Sequence, residues 1–308
     1  MGNESADRLA ASGAAKETPD HISLSKGDRL LAYGARLSAL SQSEFYRGVR
    51  QLKVQEPRSR TQRMVEQAEL AIEAMNGYRP HPSKLWLNLK RRKHGTLTQK
   101  WCAFNWKALN GAHKVGEFWK HTPVSDRYMP CTSCNAPIES LEHIIFECRM
   151  TNQELVWKLA RDLWNRTSVT FPDLNLGIVL GISEIDIKRE DGSTDRGLTR
   201  LFRILISETV YLIWLLRCEW RISREADPMR VHPASEVTAR WNARIGRRMR
   251  MDWNLTNQAI HKTRALNKSL VQRTWNRLRL SETGITVNVS EGVLVGSGAA
   301  ERLPGRNR

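Results

Sequence analysis

The stretch CTSCNAPIESLEHIIFEC, residues 131–148, contains four metal-binding side chains in the spacing C-x2-C-x8-H-x4-C. They are Cys131, Cys134, His143 and Cys148. Zn2+ prefers four thiolate or imidazole ligands in a tetrahedron, and structural zinc sites take all four from the protein. The spacing predicts such a site, because a C-x-x-C turn supplies two ligands and the returning chain brings His143 and Cys148 about a helical turn apart. The alternative that stays open is a set of separate buried thiols and an unconnected histidine.

Composition restricts the class of protein. The chain has 308 residues and five cysteines, three of them in the metal-binding stretch, which argues against a secreted disulfide framework. The N-terminus has no apolar signal segment, so we expect an intracellular protein, nuclear or cytoplasmic. The apolar run 201–216 contains Arg203 and Glu208 and is shorter than the roughly 20 residues of a membrane span. It predicts a buried core helix and no membrane partner.

Periodicity predicts an all-α fold, with helical bundles around an embedded CCHC zinc turn and at most a small hairpin in the tail. Ser41 and Glu44 form a capping box that predicts a helix to about Lys53. Two basic helices are expected at 235–252 and 256–280. The expected divisions are an N-terminal helix (1–15), a linker (16–28), a basic helical region (29–128), the CCHC module (129–166), a helical region (167–280) and a partly disordered tail (281–308).

Charge is distributed unevenly along the chain, whose net charge is +17. Residues 31–130 hold 18 Lys and Arg against 7 Asp and Glu, and residues 201–308 hold 19 against 9. Basic surfaces of this kind attract phosphate backbones, so the pattern predicts RNA or DNA as a partner, bound with little sequence preference. A merely solvated surface is the alternative. The candidate contacts are Lys90, Arg91, Arg92, Lys93, Arg244, Arg247, Arg248 and Arg250.

Two further groups of residues are interpreted as packing residues. His113 and His121 lie upstream of the metal-binding stretch and are expected to pack near it rather than to bind the metal. Trp241 and Trp253 flank the second arginine cluster and are expected to be core residues rather than platforms for stacking bases.

The N-terminal motif Gly2-Asn3-Glu4-x-Ala6-Asp7-x-Leu9-Ala10 resembles the closing motif of type-1 ribonuclease H domains. The resemblance implies that Asp7 corresponds to the last of four carboxylates that bind two Mg2+ ions in an intact domain. The other three carboxylates have no counterpart in this chain. We therefore expect no catalysis by this chain alone, and Mg2+ only in an intact parent.

Three longer blocks resemble the reverse-transcriptase zinc-binding region of non-LTR retrotransposon polyproteins. They are WKALNGAHKVGEFWKH (106–121) followed by the C-x2-C and ESLEHIIFEC (139–148), RLFRILISETVYLIWLLRCE (200–219) and LVQRTWNRL (270–278). The resemblance implies a C-terminal fragment of such a polyprotein, without its polymerase domain.

Three functions follow from these observations. The first is a nucleic-acid-binding, zinc-stabilised remnant of a retroelement polyprotein. The second is an RNA–DNA hybrid ribonuclease, if sequence upstream of Met1 completes the catalytic domain. The third is a non-catalytic helical zinc protein that binds other proteins. Salt-dependent binding to RNA would separate the first from the third.

Overall fold

The computed structural model describes residues 2–18, 41–52, 58–90, 95–148, 152–278, 287–288 and 293–294. These residues are mostly helical, which confirms the all-α class. The α-helices are α1 (Gly2–Ala14), α2 (Gln42–Leu52), α3 (Ser59–Asn76), α4 (Pro82–Lys90), α5 (Gln99–Leu109), α6 (Ser125–Tyr128), α7 (Gln153–Asn165), α8 (Leu176–Leu180), α9 (Arg196–Cys218), α10 (Ala234–Asn254), α11 (Gln258–His261) and α12 (Lys268–Trp275). Three 3-10 helices (Gly116–Trp119, Pro228–Arg230, Lys262–Arg264), two π-turns (His143–Glu147, Glu219–Ser223) and the antiparallel strands β1 (Val287–Asn288) and β2 (Val293–Leu294) complete the elements.

The chain divides into two compact units, Met1–Glu56 and Pro57–Arg308. The first contributes α1 and α2, whose described side chains are almost all exposed. The predicted capping box begins α2: Ser41 N–H donates to Glu44 Oε2 at 2.9 Å, and Glu44 N–H donates to Ser41 Oγ at 3.3 Å. Two of the four backbone N–H groups that a helix start leaves unpaired are satisfied in this way.

Helix α9 lies at the centre of the second unit. It is buried on nearly every side and contacts α5, α7, α8, α10 and α12. A helix that is buried on nearly every side belongs in a core, so the predicted core helix is confirmed. Its internal charges are paired: Arg203 lies 2.8 Å from Asp186 and Glu208 lies 2.6 Å from Arg244. No helix among the described residues is long and apolar enough to cross a membrane.

Glycines permit two close helix crossings in this unit. A Cβ on Gly177 of α8 would lie 2.4 Å from the carbonyl oxygen of Gln67 on α3. A Cβ on Gly197, at the start of α9, would lie 2.6 Å from the carbonyl oxygen of Arg273 on α12. Any side chain at either glycine would push the two helices apart.

The structure divides the chain differently from the sequence. The core of the second unit includes Val65, Ile144 and Val271, which fall in three of the expected regions. The reason is that the metal-binding stretch is too short for a core of its own and packs into its neighbours. The expected linker (16–28) and tail (281–308) lie largely outside the described residues.

The prediction of one helix over 256–280 is wrong. The chain forms α11, then a 3-10 turn, then α12. Lys262 ends α11 at a φ of 48°, and Asn267 begins α12 by accepting a hydrogen bond from Leu270 N–H at 3.0 Å. An asparagine side chain that competes for backbone N–H groups favours such a restart.

Candidate metal centre

The C-x-x-C segment forms a closed turn that directs two thiols to one point. Cys131 N–H donates to Ala136 O at 2.9 Å, and Asn135 N–H donates back to Cys131 O at 2.9 Å. Asn135 adopts a φ of 58°, in the left-handed region that asparagine tolerates better than most residues. The turn thereby fixes Cys131 relative to Cys134 without using other parts of the chain.

The other two candidate ligands lie at the ends of the π-turn His143–Glu147. Cys148 N–H donates to His143 O at 2.8 Å, which is the i to i+5 bond of a π-helix. Ser140 Oγ accepts a hydrogen bond from His143 N–H at 2.9 Å and fixes the start of the turn. The H-x4-C spacing and the π geometry agree, because this wider turn places residues five apart on one side of the chain.

The four side chains converge. Cys134 Sγ lies 3.3 Å from His143 Nε2, and Cys131 Sγ lies 3.7 Å from Cys148 Sγ. All four donor atoms lie within 4.8 Å of one another. Cys131, His143 and Cys148 are buried, whereas Cys134 is exposed. The arrangement can hold one metal ion at the protein surface.

Neighbouring groups orient the His143 ring and favour the thiolate form of Cys131, and both effects favour binding of a cation. The Nδ1 atom of His143 lies 3.1 Å from Glu147 Oε2, which leaves Nε2 directed at the cluster beside Cys134. A carboxylate at the second ring nitrogen fixes the tautomer and makes an imidazole a better ligand. A hydrogen bond with Cys148, together with backbone N–H groups of the turn, holds the pKa of the Cys131 thiol well below its usual value, against the opposing effect of burial.

The metal loop (residues 129–148) is fixed to the core by contacts far apart in sequence. Arg217 Nε of α9 donates to Glu139 Oε1 at 3.0 Å, and Arg217 Nη2 donates to the other oxygen. Both side chains are buried. Trp157 Nε1–H of α7 donates to Ile145 O at 2.8 Å. The orientation of the loop therefore depends on α7 and α9.

A second group of side chains that could bind a metal ion is already paired with an arginine. Glu219, His232 and Glu236 lie close together. Arg240, however, contacts both oxygens of Glu219 at 2.6 Å and lies 3.3 Å from Glu236. The guanidinium already occupies the place that a cation would take, so this group is an ion-pair cluster.

Two of the predicted nucleic-acid contacts hold α10 against its neighbours. Arg244 Nε lies 2.6 Å from Glu208 Oε2 of α9. Arg248 is only 4% exposed and donates to the carbonyl oxygens of Gly95 at 2.8 Å and Thr96 at 2.6 Å. Arg248 is too deeply buried to reach a phosphate, so its prediction as a nucleic-acid contact is corrected. Arg244 is 22% exposed beside its ion pair, and its role as a nucleic-acid contact stays a prediction.

The other predicted site residues have different positions. Lys90 is exposed at the end of α4, while Arg91, Arg92 and Lys93 lie outside the described residues. Asp7 is exposed on α1, and among the described residues no group of metal-capable side chains includes it. Trp241 is buried, as predicted, and Trp253 is half-buried.

The C-terminal basic surface is defined by five of the six exposed cations of α10, α12 and the segment between them; the sixth, Arg273, donates to Ser269 O at 3.4 Å. Segment 244–278 holds nine Lys and Arg and a single acidic residue, Asp252, which is fully buried. Within the described part of the chain none of the five cations has an ion-pair partner. They are Arg247, Arg250, Lys262, Arg264 and Lys268. For the last three, the sequence signal is the absence of any acidic residue from 253–278.

His113 has the predicted packing role. Its ring lies 4.7 Å from that of Phe104 and 4.5 Å from that of Trp214, and its Nε2 is 2.9 Å from Phe104 O. Burial lowers the pKa of His113 to about 4, although the hydrogen bond to Phe104 acts in the opposite direction. The ring is therefore neutral near pH 7, with Nε2–H as donor and Nδ1 as acceptor.

No protein-family model, no curated protein and no solved structure matches this chain, so the resemblance to retrotransposon polyproteins stays a prediction.

Proposed function

We propose that this chain is a nucleic-acid-binding protein whose metal loop is held by one structural Zn2+. The observation that carries the proposal is the C-terminal basic surface, where five exposed cations have no exposed carboxylate near them in sequence. The predicted resemblance to a zinc-binding region of retroelement polyproteins supports the same conclusion.

Zinc fits the donor set better than other common metals do. Three thiolates and an imidazole are ligands for Zn2+ rather than for Mg2+ or Ca2+, which bind oxygen. With zinc–ligand bonds of about 2.3 Å to sulfur and 2.0 Å to nitrogen, a tetrahedron places sulfurs about 3.8 Å apart and sulfur and nitrogen about 3.5 Å apart. The separations here, 3.7 Å and 3.3 Å, are close to these values. Four protein ligands leave no open position, so the ion would act as a cross-link.

The basic surface suits phosphates without base recognition. Arg247 and Arg250 are on α10, and three further cations follow within 18 residues. Many arginines elsewhere in the described part of the protein pair with a carboxylate. The five cations of this surface do not, and they face solvent. Such cations bind a nucleic-acid backbone by releasing its counterions, which gives affinity with little sequence preference.

The test compares two variants that each lose five positive charges. The first replaces the five cations of the C-terminal basic surface with glutamine. The matched control replaces five exposed cations elsewhere in the second unit: Lys158, Arg161, Arg166, Lys188 and Arg189. Binding to RNA and to DNA is measured over a range of salt concentrations.

We expect the first variant to bind weakly and its log K against log salt slope to flatten by about four, close to one unit per lost contact. The control should keep most of the slope. Equal losses in both variants would show that only net charge matters, and parental binding by both would favour the helical interaction protein instead.

A further inference from the structure

A cleft opens between α3, the loop after α5 and the metal loop. Its volume is about 390 Å3. Its apolar wall is formed by Met64, Val115, Phe118, Ile138 and Leu141. This volume is near the lower end of the roughly 300–1,000 Å3 of small-molecule sites, so it suits one flat ring system rather than a helix.

Two polar groups of the lining can recognise the edge of such a ring. His113 uses Nε2–H for Phe104 O, so the Nδ1 acceptor is its remaining polar atom. Ser140 Oγ accepts from His143 N–H and retains its own proton to donate. One hydrogen-bond donor and one acceptor in an apolar wall match the edge of a nucleobase, which carries both acceptors and donors. Ser140 therefore lines the cleft and also contacts the candidate metal ligand His143.

The rim of the cleft is positively charged. Arg60 and Arg63 line it against a single carboxylate, that of Glu117. Arg60 donates to Gly111 O at 3.2 Å, whereas Arg63 is exposed. Lys107 is close enough to His113 for its charge to lower the pKa of that ring. The excess of cations matches a phosphate attached to the ring.

We infer that this cleft takes one unstacked base of a single-stranded nucleic acid, with Arg63 contacting the adjoining phosphate. The inference rests on the proposed function and deepens it. The C-terminal basic surface binds the backbone of any strand, whereas the cleft requires a base that is not held in a duplex. Proteins recognise such bases by stacking them on aromatic side chains, the role that Phe118 of the wall would take here.

The test uses the zinc-loaded full chain and oligonucleotides of one sequence, as single-stranded RNA, as single-stranded DNA and as a duplex. One base of each single strand is replaced by the fluorescent analogue 2-aminopurine. Phe118→Ala and Ile138→Ala remove apolar wall from two side chains that are 37% and 38% exposed, so folding should be preserved. Phe45→Ala and Ile222→Ala are controls of the same residue types at exposed positions that do not line the cleft.

Each cleft variant should lose about tenfold in single-strand affinity, as removal of a base-stacking side chain does, and keep its duplex affinity. The 2-aminopurine emission should change on binding to the parent and to the controls, and change less with the cleft variants. The RNA and DNA strands show which sugar the site prefers.

Unchanged single-strand affinity in both cleft variants would overturn the inference, and would point instead to an apolar side chain of a protein partner. Equal losses for single strand and duplex would also overturn it. Failure of the proposed function is a separate result, because there the loss of the five basic residues leaves all three affinities unchanged.

Discussion

The metal loop and the junction of α9, α10 and α12 are both fixed by buried polar groups, but in different ways. In the loop, four donors within 18 residues converge on one point, and Glu139 with Arg217 joins that point to the core. In the junction, Asp252 accepts from Arg200 at 2.5 and 2.9 Å and from Trp275 Nε1–H at 2.9 Å.

The difference determines what each region needs in order to fold. Three thiols and an imidazole have little affinity for one another without a cation, so the proposed zinc would be what holds the loop together. Asp252 is fully buried and already has its cations, since Arg200 and Arg248 both reach it. The junction should therefore be insensitive to metal and sensitive to any change in its own charges.

The largest expected effect is the loss of the metal loop on removal of a ligand. The parent should carry one Zn2+ per chain, whereas Cys131→Ser and His143→Ala should carry none. Residues 129–165 should then lose protection from hydrogen exchange, because structural zinc contributes on the order of 10 kcal/mol to small zinc-binding segments.

Cys218→Ser is the control, since Cys218 is half-buried and outside the cluster. It should keep its zinc and its exchange pattern. Full zinc occupancy in both ligand variants would contradict the assignment of these four side chains.

The stability of the junction should depend on its buried charges and not on metal. Asp252→Asn keeps the size of the side chain but removes the carboxylate that Arg200 and Arg248 both contact. The free energy of unfolding should fall by about 3–5 kcal/mol, as when one partner of a buried ion pair is removed, while zinc content stays at the parental value. Denaturant unfolding and metal analysis measure the two quantities.

Asp162→Asn is the matched control, because Asp162 is exposed and pairs with Lys158 at 3.6 Å. Its cost should be about 1 kcal/mol or less. A similar small cost for Asp252→Asn would mean that the junction is not held by its buried charges.

The same contrast explains what the sequence could predict. The four candidate ligands were predictable because all of them lie within 18 residues, so the local path of the chain brings them together. Local spacing could not tell which arginines of α10 are buried and which are exposed. Arg248, unlike Arg247, donates to the carbonyl oxygens of Gly95 and Thr96, which are more than 150 residues away.

Long-range partners also limited the prediction of the loop itself. Glu139 lies inside the motif and had no assigned role, because its partner Arg217 is 78 residues away. Helix α9, by contrast, was predictable from its composition, since a long and mostly apolar run has few other places in a folded chain.

The smallest expected effect is the loss of stability in acid that comes from the core rather than from the metal loop. His113 is neutral in the folded state because burial lowers its pKa to about 4, against an ordinary value of 6.5. The unfolded chain therefore binds the extra proton first as the pH falls. This contribution to stability is complete above pH 6.5 and is lost progressively between pH 6.5 and about 4.

His113→Gln should remove this dependence while keeping an N–H donor for Phe104 O. Between pH 7 and pH 5 the unfolding free energy of the parent should fall by about 2 kcal/mol more than that of the variant. Protons also compete with zinc for thiolates and for His143, but that loss is common to both proteins and cancels in the difference. Parallel curves of unfolding free energy against pH would show that the ring packed between Phe104 and Trp214 does not contribute to the loss of stability in acid.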